Sequence, residues 1–273
     1  MHIHGSLSLL IYYVYTEHIL ESDVYSVNNS FIICTMNDVK KISSSCRIFG
    51  KKQNYHHGDL AFSLMQAALQ RIAKEGVDKL SLRAVARDLG VSQTAPYRHF
   101  KDKQALLVAL AKQGFEELTQ TTLQATQYGQ KDSLKTLMAI GMAYVNFARR
   151  HPEQYKLMFG PSISNRAEQL EMMEAGNQSF NVILNATEKA VEEGVLIDDD
   201  YQLLARSCWS KVHGMAMLCI DGFYKKRSEK DLQNLFMKMQ WINLRGISKH
   251  PLSINPPEEW VALTEQYLKL ASA

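Results

Sequence analysis

Residues Ser81 to Lys103 read SLRAVARDLGVSQTAPYRHFKDK, and this stretch decides the fold. Leu82, Val85, Ala86 and Leu89 recur at helical spacing, so they share one face, and Ser81 is placed to cap that helix. Gly90 supplies a residue that takes positive φ without steric cost, which allows a sharp turn. Val91 plugs the corner, and Ser92 or Thr94 can cap a second helix. That helix would expose Gln93, Thr94, Tyr97, Arg98 and His99, a polar face with hydrogen-bonding and stacking groups. Two short helices about a glycine turn, the second polar on its outer side, are the layout of a helix-turn-helix whose second helix enters the DNA major groove.

The continuation YRHFKDKQALL sharpens the reading. Phe100 returns to the core, Asp102 caps a third helix, and Lys103 stands at its start, where a cation opposes the helix dipole. A nearby phosphate reverses that balance, since helix N-termini and lysines both attract anions. From about Gly58 to Phe115 the sequence resembles the tetracycline-repressor (TetR/AcrR) family of transcription regulators. The resemblance implies an all-α protein with an N-terminal three-helix DNA-binding domain and a C-terminal helical domain for ligand binding and dimerisation. It implies phosphate contacts from Tyr97, His99, Lys103 and Arg83, and base or backbone contacts from Gln93, Thr94 and Arg98, with Ser92 and Ala95 in the same candidate surface. Arg98 has the fork to take a guanine bidentately, and Gln93 can pair with adenine.

Charge along the chain agrees. Lys51 to Gln113 holds eleven Lys/Arg against five Asp/Glu, whereas residues 1–50 hold three against four and residues 114–273 hold seventeen against nineteen. The basic excess therefore falls on the helix-turn-helix region, where counterion release from DNA rewards it. A chain of 273 residues, 46% apolar and 22% charged, has the composition of a globular protein. Cys34, Cys46, Cys208 and Cys219 show no metal-ligand spacing, and the last two lie in an apolar helical run that reads as buried thiols. No metal or cofactor is expected, and the cytoplasm is the expected location.

Residues 1–50 differ in composition. Leu7–Tyr15 (LSLLIYYVY) is apolar but too short to span a bilayer, and no Lys or Arg precedes it as a secretory signal requires. The segment is expected to be an unstructured or translated-upstream extension, with Met36 as an alternative start; a partner-binding arm is the other reading. Lys51 and Lys52 open KKQNYHH, which reads either as an arm along the DNA backbone or as a solvated lead-in. These boundaries give an extension 1–50, a DNA-binding domain 51–113, an effector and dimerisation domain 114–227 and a helical tail 228–273.

Leu60, Leu64, Ala68 and Ile72 form the stripe of a first helix ended by Gly76. Pro96 sits early in the second helix of the motif, where it forfeits one hydrogen bond. Helices are expected over Lys103–Gln127, Asp132–Arg150, from Pro152 through PEQYKLMF, up to Gly194, and from Tyr201 to Tyr224, capped by Asp198–Asp200. Trp209, His213 and Gly214 form a Trp-x-x-x-His-Gly pattern that, with HPEQYKLMF, resembles one C-terminal subgroup of the family. His213 reads either as an effector-binding or pH-sensing group or as a core histidine bonded to a helix carbonyl beside a packed Trp, the commoner case. Gly214 would permit close helix approach. The methionines suit either an adaptable pocket or a loosely specified core, the more frequent case. Met138, Met142, Tyr144, Phe147, Trp209, His213 and Met217 are the candidate pocket residues. The resemblance implies a pocket between the helices of residues 103–224 and dimerisation through the last two body helices, 166–194 and 201–224. Beyond Lys225 the chain runs longer than the family pattern, with helices expected over Asp231–Trp241 and Glu258–Leu270.

Two functions from different classes fit a helix-turn-helix with a helical body. One is a homodimeric transcriptional regulator, a repressor or an activator with repressor the expected sign, on palindromic double-stranded DNA and released by an unidentified small-molecule effector. The other is a carrier or enzyme with a vestigial helix-turn-helix. The sequence shows no phosphate loop and no nucleophile signature, and a carrier has no use for the basic head, so the regulator is the expected function and no enzyme activity is expected.

Overall fold

The computed structural model describes residues 60–129, 131–257 and Trp260. The expectations for residues 1–50, for Lys51 and Lys52, and for the final helix apart from Trp260 lie outside them.

The described residues form eight α-helices and short 3-10 turns, with no strand; one isolated antiparallel bridge joins Leu196 and Ser248. Helix α1 (Leu60–Glu75) buries the expected stripe Leu60, Leu64, Ala68 and Ile72. Helix α2 (Leu82–Asp88) begins where the Ser81 side chain accepts from the Ala84 N–H. It ends at Gly90, φ 68°, whose N–H reaches the Arg87 carbonyl while the Val91 N–H reaches that of Ala86. This pair of bonds satisfies the carbonyls the helix leaves open.

The second helix of the motif departs from expectation. It is a single 3-10 turn, Ala95–Arg98, with Pro96 buried in its first half. Proline lacks the N–H that would carry an α-helical ladder through this point. The Ala95 and Tyr97 amides bond three residues back, to Ser92 and Thr94, and the Phe100 amide closes the turn on the Pro96 carbonyl at 2.9 Å. Ser92 accepts the Thr94 N–H through its hydroxyl.

Helix α3 (Lys103–Gly129) starts with Asp102 accepting the Ala105 N–H and runs unbroken from head to body. Helix α4 (Ser133–Arg150), capped by Asp132, is buried along almost its whole length. Helix α5 (Pro152–Phe159), α6 (Leu170–Glu192), α7 (Tyr201–Ile220) and α8 (Glu229–Ile247) pack round it and α3. Helix α7 stops four residues earlier than expected because Gly222, φ 82°, repeats the capping pattern of Gly90.

Helix polarity follows from the ties between elements. Lys112 of α3 pairs with Glu171 at the start of α6, and Ser133 at the start of α4 donates to Glu193 beyond its end. At the opposite end of α4, Arg149 pairs with Glu229 at the start of α8. The Arg166 guanidinium donates to the Leu157, Met158 and Gly160 carbonyls and so caps the C-terminus of α5. The described part of the tail, residues 228–257 and Trp260, packs on the body. Helix α8 packs on α4 and α7, and Trp241 stacks edge-on against Trp260 while donating to the Ser253 carbonyl. Cys208 is a buried free thiol, as the sequence suggested, whereas the free thiol Cys219 is only half-buried.

Candidate functional site

The head builds one polar surface. Leu82, Val85, Phe100 and Leu80 turn inward, so Arg83, Ser92, Gln93, Thr94, Tyr97, Arg98 and His99 are left exposed together on α2 and the turn that follows. Tyr97 is 48% exposed, so its ring and hydroxyl are accessible to a partner. Ala95 is half-buried and contributes backbone more than side chain. Lys103 is also half-buried, and its ammonium donates to the Asp78 carbonyl at 3.1 Å, so its charge is anchored to the Val77–Lys79 turn.

The head is fixed by groups that the sequence did not single out. Arg71 of α1 grips Asp88 of α2 with two bonds, 2.8 and 3.0 Å, and reaches Glu75 at 2.7 Å. The guanidinium holds the Asp88 carboxyl below its usual range. Below the head, Gln104 bridges to the loop before α6 through the Ser162 carbonyl and the Ser164 N–H.

In the body, Tyr144, Trp209 and His213 come together as candidates, joined by Tyr155 and Phe159 of α5 and Phe180 of α6. The Tyr155 hydroxyl lies 2.7 Å from Nδ1 of His213 and donates to the Tyr144 hydroxyl at 2.9 Å. Trp209 Nε1 donates to the same Tyr144 oxygen. The partner of His213 is therefore a pair of tyrosine hydroxyls and not the helix carbonyl expected, because α4 and α5 each aim a tyrosine across at α7. Phe159 meets the imidazole edge-on at 4.7 Å, and Trp209 lies 5.2 Å from it. Burial lowers the His213 pKa to about 4 and pushes that of Tyr155 up. Met138, Met142 and Phe147 are buried in the core outside this hydrogen-bonded group, and Met217 is half-buried. The spacing of Tyr155 and Phe159, one helical turn apart in PEQYKLMF, was the available signal for the added aromatic pair.

Two family models match this chain: bacterial regulatory proteins of the tetR family over residues 64–110, and the tetracyclin repressor-like C-terminal domain over residues 137–240. The chain belongs to the TetR family. It is a DNA-binding transcriptional regulator with an all-α architecture, and the first match falls on α1, α2, the 3-10 turn and the start of α3. Among solved structures, a Rhodococcus sp. RHA1 protein of unknown function is 32% identical, with a TM-score of 0.62 over 72% of this chain and all of the other. The TetR-family regulator PfmR of Thermus thermophilus shares the fold at 19% identity, with a TM-score of 0.55 over 67% of this chain and 97% of its own. Among curated relatives, the nucleoid occlusion factor SlmA of Edwardsiella ictaluri is 23% identical over 62% of this chain and 87% of its own length. An HTH-type transcriptional regulator of Mycobacterium bovis is 27% identical over 44% of this chain and 50% of its own. No helix among the described residues is long and apolar enough to cross a membrane, and none of their His, Cys, Asp and Glu form a metal-ligating cluster.

Proposed function

We propose that this TetR protein acts in the cytoplasm as a homodimeric repressor on an inverted-repeat operator and is released by a small ligand bound in its body. The observation that supports the DNA role best is the continuous exposed surface of Arg83, Gln93, Thr94, Tyr97, Arg98 and His99 on a head tied to α3. In this reading Arg98 and Gln93 read bases, and Arg83, Tyr97 and His99 meet phosphates. Lys103 joins them by giving up the Asp78 carbonyl. Two such heads must sit about 34 Å apart to enter successive major grooves, so a ligand that favours another spacing lowers affinity.

The dimer is assigned to α7 and α8. The outward face of α7 presents Leu203, Ser207, Ser210 and Gly214, and a Cβ added at Gly214 would meet nothing within 4 Å. Phe223, in the turn after α7, and Ile242, on α8, are also exposed. Helix α6 exposes Leu170 at its first residue and then Glu171, Glu174, Asn177, Asn181 and Asn185, a largely polar face. This reading keeps α7 from the pair expected and takes α8 in place of the helix of residues 166–194.

Selection of DNA from a random pool by the purified protein, repeated with Tyr97→Ala, tests the reading. An enriched inverted repeat that the variant fails to enrich supports it; a pool with no enrichment overturns it.

A further inference from the structure

Gln104 stands in the first turn of α3, one residue past Lys103 and four past Phe100, which is buried and closes the 3-10 turn. Its half-buried amide takes two backbone partners in the loop between α5 and α6. Nε2 donates to the Ser162 carbonyl at 3.3 Å, and Oε1 accepts the Ser164 N–H at 3.1 Å. A backbone N–H can only donate and a carbonyl can only accept, so these partners fix which end of the amide is which. The loop is itself anchored on the body. Ile163, between the two bonded residues, is buried, and Arg166 just beyond donates to the Leu157, Met158 and Gly160 carbonyls. Helix α1 of the head also packs on α3 and α5. Burial of apolar surface is non-directional, whereas a pair of hydrogen bonds has narrow limits of distance and angle. The packing of α1 supplies adhesion, and the amide clamp supplies orientation.

We infer that Gln104 is a positioning residue for DNA recognition: its clamp on Ser162 and Ser164 fixes the angle of the head on the body, and with it the half-site spacing that a dimer accepts. The spacing part rests on the proposed inverted-repeat reading. There, one base pair inserted between half-sites shifts one of them by about 3.4 Å and turns it by about 34°. A head held at one angle rejects that change, while a head held by packing alone follows it.

The test uses the full chain and Gln104→Met, which keeps the length of the side chain and removes both hydrogen bonds without adding charge. Affinity is measured for the selected operator, for the same half-sites with one base pair inserted or removed between them, and for random DNA. The parent is expected to lose about tenfold at either altered spacing, the scale of one disfavoured position in a site. Gln104→Met is expected to shrink that loss to about threefold, with random-DNA affinity and salt slope unchanged. Residual dipolar couplings of the free protein give a readout without DNA. In the parent the amides of α1 and α2 are expected to share one alignment with those of α4 to α8; in the variant the head is expected to show reduced order. The Ser164 amide of the parent is expected to exchange slowly with solvent, a measurement that needs no variant to fold. A variant that keeps the parent's spacing preference, equal losses at every spacing and on random DNA, an unchanged head alignment, or a Ser164 amide that exchanges as in an open loop would each overturn the inference. A head that loses alignment in the variant, with a parent indifferent to spacing, would uphold the clamp and sink the inverted-repeat reading instead.

Discussion

Tyr155 of α5 and His213 of α7 meet at 2.7 Å across the centre of the body, a contact between residues 58 positions apart in the chain. Burial holds the histidine at about 4 against a usual 6.5. Between those values the unfolded chain takes up a proton that the folded chain excludes, so stability falls as pH drops through 6.5 and the loss is complete below about 4. The loss attributable to this residue is about 3 kcal/mol. Urea denaturation at a series of pH values is expected to show it, and His213→Phe is expected to flatten the slope over that window, whatever its effect on stability at pH 7.

Arg98→Ala is expected to weaken operator binding by about 1–3 kcal/mol and random-DNA binding far less, as base readout requires. Competition binding at fixed salt reads the difference, and equal losses on both DNAs would remove Arg98 from the base-reading set. Lys103→Ala is expected to act differently, weakening both DNAs alike and lowering the salt slope by about one.

Gly129 closes the turn between α3 and α4, and a Cβ built there would lie 2.6 Å from the Thr136 Cα. Backbone cannot yield as a flexible side chain does. Gly129→Ala is expected to destabilise by about 2 kcal/mol, net of its better helix propensity. A thermal melt of the variant unchanged from the parent would contradict the packing described.

Gly214→Arg places a charge in the outward face of α7, where nothing in one protomer obstructs it. The expected result is a folded monomer by light scattering with unchanged helical content. A variant that stays dimeric would move the interface off this face.

The head was largely legible in the sequence because its signals are local. Ser81, Gly90 and Asp102 act on residues within a turn of themselves, and each does in the structure what its chemistry dictates. The 3-10 form of the reading turn was less legible, since one proline had to be weighed against an otherwise helical pattern. The body cluster was half legible. Trp209 and His213 stand one turn apart on α7, but Tyr144 and Tyr155 reach them only through the packing of three helices, which no spacing along the chain encodes. The family resemblance between about Gly58 and Phe115 carried the functional reading, while the place of α8 needed the fold.

The 3-10 turn Ala95–Arg98 has a consequence for how DNA affinity would fail. A reading element with a full helical ladder keeps its shape by its own hydrogen bonds; this one is held mainly from behind, by Pro96 and Phe100 seated in the head. In the proposed DNA role its side chains are only as well aimed as the core of α1 and α2 is well packed. Thinning that core at Leu64 or Ile72 would then erode operator recognition before the protein unfolds, and a binding defect would be the first symptom of a packing fault.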